Sequence, residues 1–265
     1  MQEAIIFSMV FHLIGDFYLQ SDKISRLKKE NNKIMLLHAI IYSLPFILLF
    51  FLTKVPYLGV YSFIFILLHY VIDKFKVNME AKLKEGIVFL IDQLIHVVIA
   101  VLFIYPLVSF SMLYDIDNYF LRFFIDNTRL ILLLLLIFKP CNIIFMVMFG
   151  KFRPNGVKTA EAKIDKKDNL EYDLRVLLVK EDQDEKADTS SIAGAGAIIG
   201  SLERVLIVAL ILTNNLSLIG FVLGIKSFAR FEMISKSRSL SEYYIIGTLY
   251  SYAYTFILYY LLIVV

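Results

Sequence analysis

The chain has 265 residues, of which 59% are hydrophobic and 19% charged, with a formal net charge of +3. Its mean hydropathy is +0.72, whereas soluble domains are roughly 45–50% apolar, so a soluble globular fold is excluded. Cys141 is the only cysteine, which excludes an internal disulfide and any thiolate-rich metal site. The composition predicts an all-α, polytopic integral membrane helix bundle, and no nucleic-acid partner is expected.

Apolar stretches of about 20 residues, the length of a membrane-spanning helix, predict about eight transmembrane helices. In chain order they cover residues 2–20, 34–53, 57–76, 86–106, 128–149, 194–213, 215–230 and 242–264. The first has no basic n-region and no small-residue cleavage site, so it is not expected to be a removable signal peptide. Lys139-Pro140 interrupts the fifth stretch and predicts a broken or kinked helix, because proline removes an amide donor and disfavours helix in the preceding residue.

Charge asymmetry orients the predicted bundle. The connections 21–33, 74–85, 150–193 and 226–241 together hold 22 Lys and Arg residues, and the opposite connections hold two. The positive-inside rule places the first set in the cytoplasm and both chain termini outside it. The predicted organisation is a four-helix unit (1–106), an extracytoplasmic connection with the broken fifth helix (107–149), a cytoplasmic loop (150–193) and the C-terminal helices (194–265).

All four histidines lie in apolar stretches, and three of them have an aspartate one helical turn away. The seven residues are His12 and Asp16, His38, His69 and Asp73, and Asp92 and His96. An ionisable group in hydrocarbon costs roughly 2.5–3.5 kcal/mol on insertion scales, so seven of them indicate a function. At a rise of about 1.5 Å per residue, all seven lie roughly 3–15 Å below the cytoplasmic helix ends. They are therefore predicted to form one layer, shared by four consecutive helices.

Imidazole and carboxylate together suit a divalent transition metal rather than magnesium or calcium. Zinc is the first expectation, with manganese or iron as alternatives. Seven ligands exceed the four of a tetrahedral zinc ion, which favours a two-metal centre that polarises a substrate oxygen and activates a bridging water. Asp16, Asp73 and Asp92 are the candidates for a catalytic base. Two other interpretations stay open: simple hydrogen bonding across helices, and a pathway for protons or ions.

The motifs in the first hundred residues closely resemble a family of bacterial membrane proteins, the domain of unknown function 3307 family. They are His12-Leu-Ile-Gly15-Asp16-Phe17-Tyr-Leu19-Gln20, Leu37-His38-Ala39 followed by Tyr42, His69-Tyr-Val-Ile-Asp73-Lys74, and Asp92-Gln93-Leu-Ile-His96. The resemblance implies a multi-pass protein of the bacterial inner membrane, but the family has no established activity to transfer. More distantly, the His/Asp pattern is similar to inner-membrane metal-dependent hydrolases and to soluble zinc phospholipases C.

Three basic residues of the C-terminal helices, Arg204, Lys226 and Arg230, are candidates for binding an anionic substrate, since arginine can hold a phosphate through two parallel hydrogen bonds. They could instead determine topology, anchor lipid phosphates or pair between helices. The leading hypothesis is a metal-dependent hydrolase acting on a lipid-borne or amphipathic phosphoester at the cytoplasmic leaflet, with membrane lipids as its partners. The alternatives are an ion or metal transporter and a non-haem di-iron lipid oxidase.

Overall fold

The protein is all-α over the residues that the computed structural model describes, which are 2–53, 56–109, 119–153, 195–231, 235 and 238–265. Eleven α-helices form within these ranges. The loop predicted at 150–193 lies outside the described residues beyond Arg153, as do residues 110–118 of the connection predicted at 107–127. The described residues divide into two compact units, one up to Leu135 and one from Leu136 onward.

The first unit contains six helices and most of a seventh. They are α1 (Gln2–Leu13), α2 (Asp22–Leu27), α3 (Asn32–Thr53), α4 (Pro56–Glu80), α5 (Glu85–Ser109), α6 (Tyr119–Asp126) and α7 (Thr128–Ile137). Helices α1, α3, α4 and α5 correspond to the first four apolar stretches of the sequence. The short α2 begins after Ser21, whose hydroxyl accepts the Ile24 N–H at 3.3 Å, the usual contact of a serine N-cap.

A π-helical turn, Ile14–Tyr18, follows α1 directly. Its wider winding is seen in the Leu19 N–H, which donates to the Ile14 carbonyl at 2.9 Å. Gly15 allows this turn to lie against α3, because a Cβ at Gly15 would stand 2.7 Å from both the backbone oxygen and a ring carbon of Tyr42. Such π turns occur often at functional sites, and this one carries Asp16.

An aromatic cluster fills the first unit on one side of the histidines. Its buried members are Phe7, Phe11, Tyr42, Phe46, Leu49 and Phe65. The Phe46 ring lies 5.4 Å from the Phe11 ring and 4.3 Å from the Phe65 ring, measured between centroids. The cluster therefore joins α1, α3 and α4 through apolar contacts.

The second unit contains the helices that follow the predicted break. They are α8 (Lys139–Phe149) with a 3₁₀ turn (Gly150–Phe152), α9 (Ala195–Leu212), α10 (Ser217–Ala229) and α11 (Arg238–Tyr259) with a final π-helical turn (Tyr260–Val264). Helix α9 ends in a Schellman motif, in which the N–H groups of Asn214 and Asn215 donate to Ile211 and Leu210 at 3.0 and 2.8 Å. Asn214 adopts φ 58° there, which asparagine tolerates better than most residues.

The break predicted at Lys139-Pro140 is confirmed. Helices α7 and α8 are separated at Phe138 and bent by 41°. Pro140 is the second residue of α8, a position where its missing N–H leaves no helical hydrogen bond unmade.

The expectation of about eight membrane spans is wrong by length and composition. Among the described residues, Asn32–Leu52 and Arg238–Val264 are long and apolar enough to cross a membrane, and the bent pair α7–α8 makes up to three. The helices predicted from the other stretches form, but several are too short. Helix α10 has 13 residues, which span about 20 Å against a hydrocarbon thickness of about 30 Å. Helix α4 carries charged residues through its last two turns, including Asp73 and Lys76.

Candidate metal centre

The structure brings all seven His and Asp residues of the predicted layer together inside the first unit. Six of them are at most 2% exposed, and the Asp16 side chain is 9% exposed. They come from α1 and its π turn, α3, α4 and α5. Two overlapping groups of three could each hold a metal ion, with ligand atoms within 4.8 Å of one another: Asp16, His38 and His69, and Asp16, Asp92 and His96.

Four ligand atoms converge in the first group when Asp73 is included. The Nε2 atoms of His38 and His69 are 2.9 Å apart. Asp16 Oδ1 lies 3.3 Å from His38 Nε2, and Asp73 Oδ2 lies 3.6 and 3.5 Å from the Nε2 atoms of His38 and His69. A tetrahedron with metal–ligand bonds of about 2.0–2.1 Å has edges of about 3.3 Å. The two nitrogens and two oxygens therefore fit a tetrahedral ion such as zinc.

Hydrogen bonds fix the tautomer of His69 in a way that suits metal binding. His96 Nδ1 lies 2.9 Å from the Asp92 carbonyl, which can only accept, so this nitrogen carries the proton. In a neutral His96 ring, Nε2 then accepts from Nδ1 of His69 at 2.8 Å. The lone pair of His69 is consequently on Nε2, the atom that faces His38 and the two carboxylates. This arrangement resembles the outer partners that orient histidine ligands at metal sites.

The second group of ligands is already engaged with protein atoms. His96 Nε2 is the acceptor for His69, and Asp92 Oδ2 accepts from Lys76 at 2.6 Å and from Gln93 at 3.2 Å. Asp92 Oδ1 is buried and has no hydrogen-bond partner among the described residues. A second ion at this position would have to displace the hydrogen bond between the two histidines. The four-atom group around His38 and His69 needs no such rearrangement.

His12 is placed beside the layer rather than in the four-atom group. Its Nδ1 lies 3.2 Å from the Tyr42 hydroxyl and its Nε2 lies 3.2 Å from the Gln93 side-chain oxygen. Gln93 in turn donates to Asp16 Oδ2 at 3.2 Å. The Tyr42 ring stacks on His69 with centroids 3.8 Å apart. These contacts hold Asp16 and His69 in orientation.

Two lysines contact the layer, and sequence reasoning placed neither of them in the site. Lys28, 5% exposed, donates to Asp73 Oδ2 at 2.8 Å and to the Gln20 side chain at 2.9 Å. Lys76 forms an ion pair with Asp92 at 2.6 Å. Lys76 could have been found from its position one turn after Asp73 on α4. Lys28 gave no such signal, because it follows the short helix α2 and looked like one of many basic residues in a connection.

Arg204 lies in the second unit and is 3% exposed. Its guanidinium donates to the backbone carbonyls of Ile137, at short range, and of Phe138 at 3.4 Å. These carbonyls belong to the break between α7 and α8. Polar side chains bind the rest of the guanidinium: Asn142 at 2.9 Å, Ser201 at 3.1 Å and Ser251 at 3.2 Å. Arg204 therefore satisfies backbone groups that the break releases, and its predicted role in substrate binding stays a prediction.

The other two predicted substrate-binding residues meet at one tyrosine. Lys226 pairs with Glu203 at short range, and its Nζ lies 5.8 Å from the Tyr244 ring centroid. The Arg230 guanidinium lies 6.0 Å from the same ring. The neighbouring residues Glu203 and Arg204 thus serve different contacts of the second unit.

Comparison with known proteins gives one match. Residues 5–122 match the family described as a protein of unknown function, DUF3307. No curated protein and no solved structure matches the chain. The matched segment contains all seven residues of the metal-binding layer and both lysines that contact it, so the layer lies wholly within the part of the chain that resembles this family.

Proposed function

We propose that the protein is a metal-dependent hydrolase of a lipid-borne or other amphipathic phosphoester, working at the cytoplasmic leaflet of the bacterial inner membrane. The observation that carries this proposal is the convergence of two imidazole nitrogens and two carboxylate oxygens at tetrahedral spacing. A divalent transition metal held there would polarise a phosphoryl oxygen and activate water. Zinc suits this donor set best, and manganese or iron are the alternatives.

The protein's own residues offer a proton acceptor beside the four-atom group. Asp92 Oδ1 is buried and has no hydrogen-bond partner among the described residues, and it lies 3.4 Å from His96 Nδ1. Asp16 is the more accessible carboxylate, at 9% side-chain exposure. Hydrolysis of a phosphoester requires a water proton to be taken up as the P–O bond to the leaving group breaks. Asp16 and Asp92 are therefore the proposed general bases, and Asp73 the proposed ligand.

A lipid substrate is favoured by the outward faces of the helices that carry the layer. Helices α3, α4 and α5 each expose five large apolar side chains at spacings of three or four residues. They are Leu36, Ile40, Leu44, Leu48 and Phe51 on α3, Val60, Phe63, Leu67, Val71 and Phe75 on α4, and Ile87, Leu90, Leu94, Val98 and Leu102 on α5. Continuous apolar stripes of this kind are typical of surfaces that face lipid or a partner. They favour a substrate that reaches the site from the membrane.

The aromatic cluster favours an enzyme over a transporter. Phe11 lies directly before His12, Phe65 one turn before His69, and Phe46 two turns after His38. The three rings therefore lie on the same side of the layer, the side predicted to face outward. A transit pathway for ions needs polar or ionisable groups on both sides of the binding site. The closed apolar side is what a site approached from one direction requires.

The deciding assay reconstitutes the purified protein in sealed vesicles of mixed bacterial lipids with Zn²⁺, Mn²⁺ or Fe²⁺. Released headgroups and phosphate are measured beside metal uptake. We expect metal-dependent lipid turnover that Asp16→Asn abolishes and Asp22→Asn leaves unchanged. Asp22 is a matched control, because it is an exposed aspartate six residues further along the chain.

Each alternative gives its own result in this assay. Metal uptake without lipid product, lost in Asp16→Asn, would replace the hydrolase with a transporter. Oxygen consumption that requires Fe²⁺ and produces oxidised lipid would indicate a di-iron oxidase. Lipid turnover that persists in metal-free protein would remove the metal from the mechanism.

A further inference from the structure

Two ammonium groups hold the carboxylates of the metal-binding layer. Lys28 donates to Asp73 Oδ2, the same oxygen that faces the Nε2 atoms of His38 and His69. Lys76 donates to Asp92 Oδ2. Both lysines also interact electrostatically with Asp16, the residue shared by the two possible ligand groups.

The charges of the layer change sign when a metal binds. Three aspartates and two lysines, with neutral histidines, give the site one net negative charge. A single divalent ion converts this to one net positive charge. A buried uncompensated charge is costly, so the metal-bound site should recruit an anion. The same ion competes with the lysines for the carboxylate lone pairs, which leaves ammonium N–H groups free to donate elsewhere.

We propose that Lys28 and Lys76 are the anion-binding residues of this site and that they take a phosphate-type oxyanion once a divalent ion has bound Asp16, Asp73 and the histidines. In the metal-free protein the two ammonium groups hold the ligand carboxylates in place. In the metal-bound protein they bind the phosphoryl oxygens beside the ion. The inference rests on the metal-dependent function proposed above, and it names the substrate charge and the residues that recognise it.

The geometry of Lys28 suits this role better than a general structural one. Its side chain is almost fully buried beside Asp73, although lysine is rarely buried without a function or a partner. The next residue, Lys29, pairs with Glu80 on the surface, with 45% of its side chain exposed. Two consecutive lysines thus differ in burial and in partner, and the second provides a matched control for the first.

Lys76 has a control on its own helix. Lys74, two residues earlier on α4, is exposed and lies 5.9 Å from the Tyr70 ring centroid. The lysine-to-methionine change keeps most of the side-chain stem and removes only the ammonium group. The four variants Lys28→Met, Lys76→Met, Lys29→Met and Lys74→Met therefore change charge equally at sites inside and outside the layer.

The test measures binding equilibria of the full-length purified protein. Zn²⁺ or Mn²⁺ is titrated with and without inorganic phosphate, and phosphate is titrated with and without metal. Wild-type protein should bind phosphate about tenfold more tightly with metal than without it, and linkage requires phosphate to tighten metal binding by the same factor. Lys28→Met and Lys76→Met should each lose most of this coupling, while Lys29→Met and Lys74→Met should keep it.

Metal affinity in the absence of phosphate separates recognition from a structural role. Removing an ammonium group that competes for Asp73 or Asp92 should leave metal binding as tight as in the wild type, or tighter. A lysine that merely positions the carboxylate would instead weaken metal binding when removed and leave the phosphate coupling intact. That result in both variants would overturn the proposal. Lys76, with 20% of its side chain exposed, keeps the test valid should Lys28→Met fail to fold.

A second arm distinguishes free phosphate from a lipid headgroup. Micelles carrying a lipid with a terminal phosphate monoester replace inorganic phosphate, and phosphatidylcholine micelles serve as the control. Coupling to both phosphate forms supports recognition of the shared dianion, and coupling to the micelles alone identifies the headgroup. Metal binding without phosphate coupling would overturn this inference and leave the metal centre standing. Coupling without any lipid turnover would instead count against the hydrolase alone, and absence of metal binding would overturn both.

Discussion

The two units of the chain both bury charged residues, but only the first leaves ligand atoms in excess. In the second unit, Arg204 faces carbonyl, amide and hydroxyl oxygens, and Lys226 faces Glu203. In the first unit, two histidine nitrogens and two carboxylate oxygens face one another at 2.9–3.6 Å. The acceptors there outnumber the protein's own donors.

This difference separates a site from a scaffold. Burial of a charged group alone indicates neither, because a buried charge with a full set of partners can serve packing. What marks a ligand site is a surplus of lone pairs converging on one point. By that criterion the layer around His38 and His69 calls for a cation, and the contacts of Arg204 are complete.

The largest expected effect is the loss of metal from His69→Ala. Removal of one of the four converging ligand atoms should lower metal affinity by more than about 100-fold, a larger loss than outer-partner changes cause. His12→Ala is the comparison within the same layer, since His12 contacts Tyr42 and Gln93 rather than the four-atom group. It should keep the ion with weaker affinity. Metal analysis of the two purified variants checks this, and equal metal loss would move His12 into the ligand set.

Arg204→Met tests the scaffold side of the comparison. It leaves the carbonyls of Ile137 and Phe138 without their donor, and unsatisfied buried groups cost about 1–3 kcal/mol each. The free energy of unfolding in detergent should fall by about 2–4 kcal/mol, with metal content unchanged. Arg238→Met is the matched control, because Arg238 is 93% exposed in a surface pair with Glu242. A stable Arg204 variant that lost lipid turnover would restore Arg204 as a substrate-binding residue.

Gly15→Ala tests the approach of the π turn to α3. The added Cβ would meet the Tyr42 backbone oxygen at 2.7 Å, and backbone cannot yield as a flexible side chain can. Overpacking of this kind typically costs about 1–3 kcal/mol. Because Asp16 follows Gly15 directly, metal affinity should fall together with stability. Gly220→Ala, where nothing lies within 4 Å of the added Cβ, should leave both unchanged or slightly raise stability. Calorimetric unfolding and metal titration of both variants check the prediction.

Helix positions were predictable because each depends on a local apolar run. The stretch 34–53 became Asn32–Thr53, and the Lys139-Pro140 break was visible in the sequence. The number of membrane spans was not predictable in the same way. An apolar run shows that a helix forms, whereas its crossing a membrane depends on its uninterrupted length.

The membership of the layer was predictable, and its internal order was not. Helical spacing places His69 beside Asp73 and Asp92 beside His96. Which nitrogen faces which oxygen depends on contacts between helices, such as the stacking of Tyr42 on His69. Lys28 illustrates the limit most clearly. Its burial follows from how α2 lies against α3 and α4, and no pattern within the connection encodes that.

The smallest expected effect, and the one that counts the ions, comes from Asp92→Asn. This change keeps the shape of the side chain and removes the charge that pairs with Lys76. If Asp92 acts only through His96 on His69, one ion should remain bound, with affinity lower by about tenfold, as for other outer partners of a ligand histidine. If Asp92 instead binds a second ion together with Asp16 and His96, metal content should fall from two ions to one. Asp126→Asn, which changes an aspartate at the end of α6, is the control and should alter neither value. The geometry favours the first result, because a second ion would have to break the 2.8 Å contact between His96 and His69. Metal stoichiometry measured beside affinity decides between the two, and a fall from two to one would show that the pair of histidines separates when the site is filled.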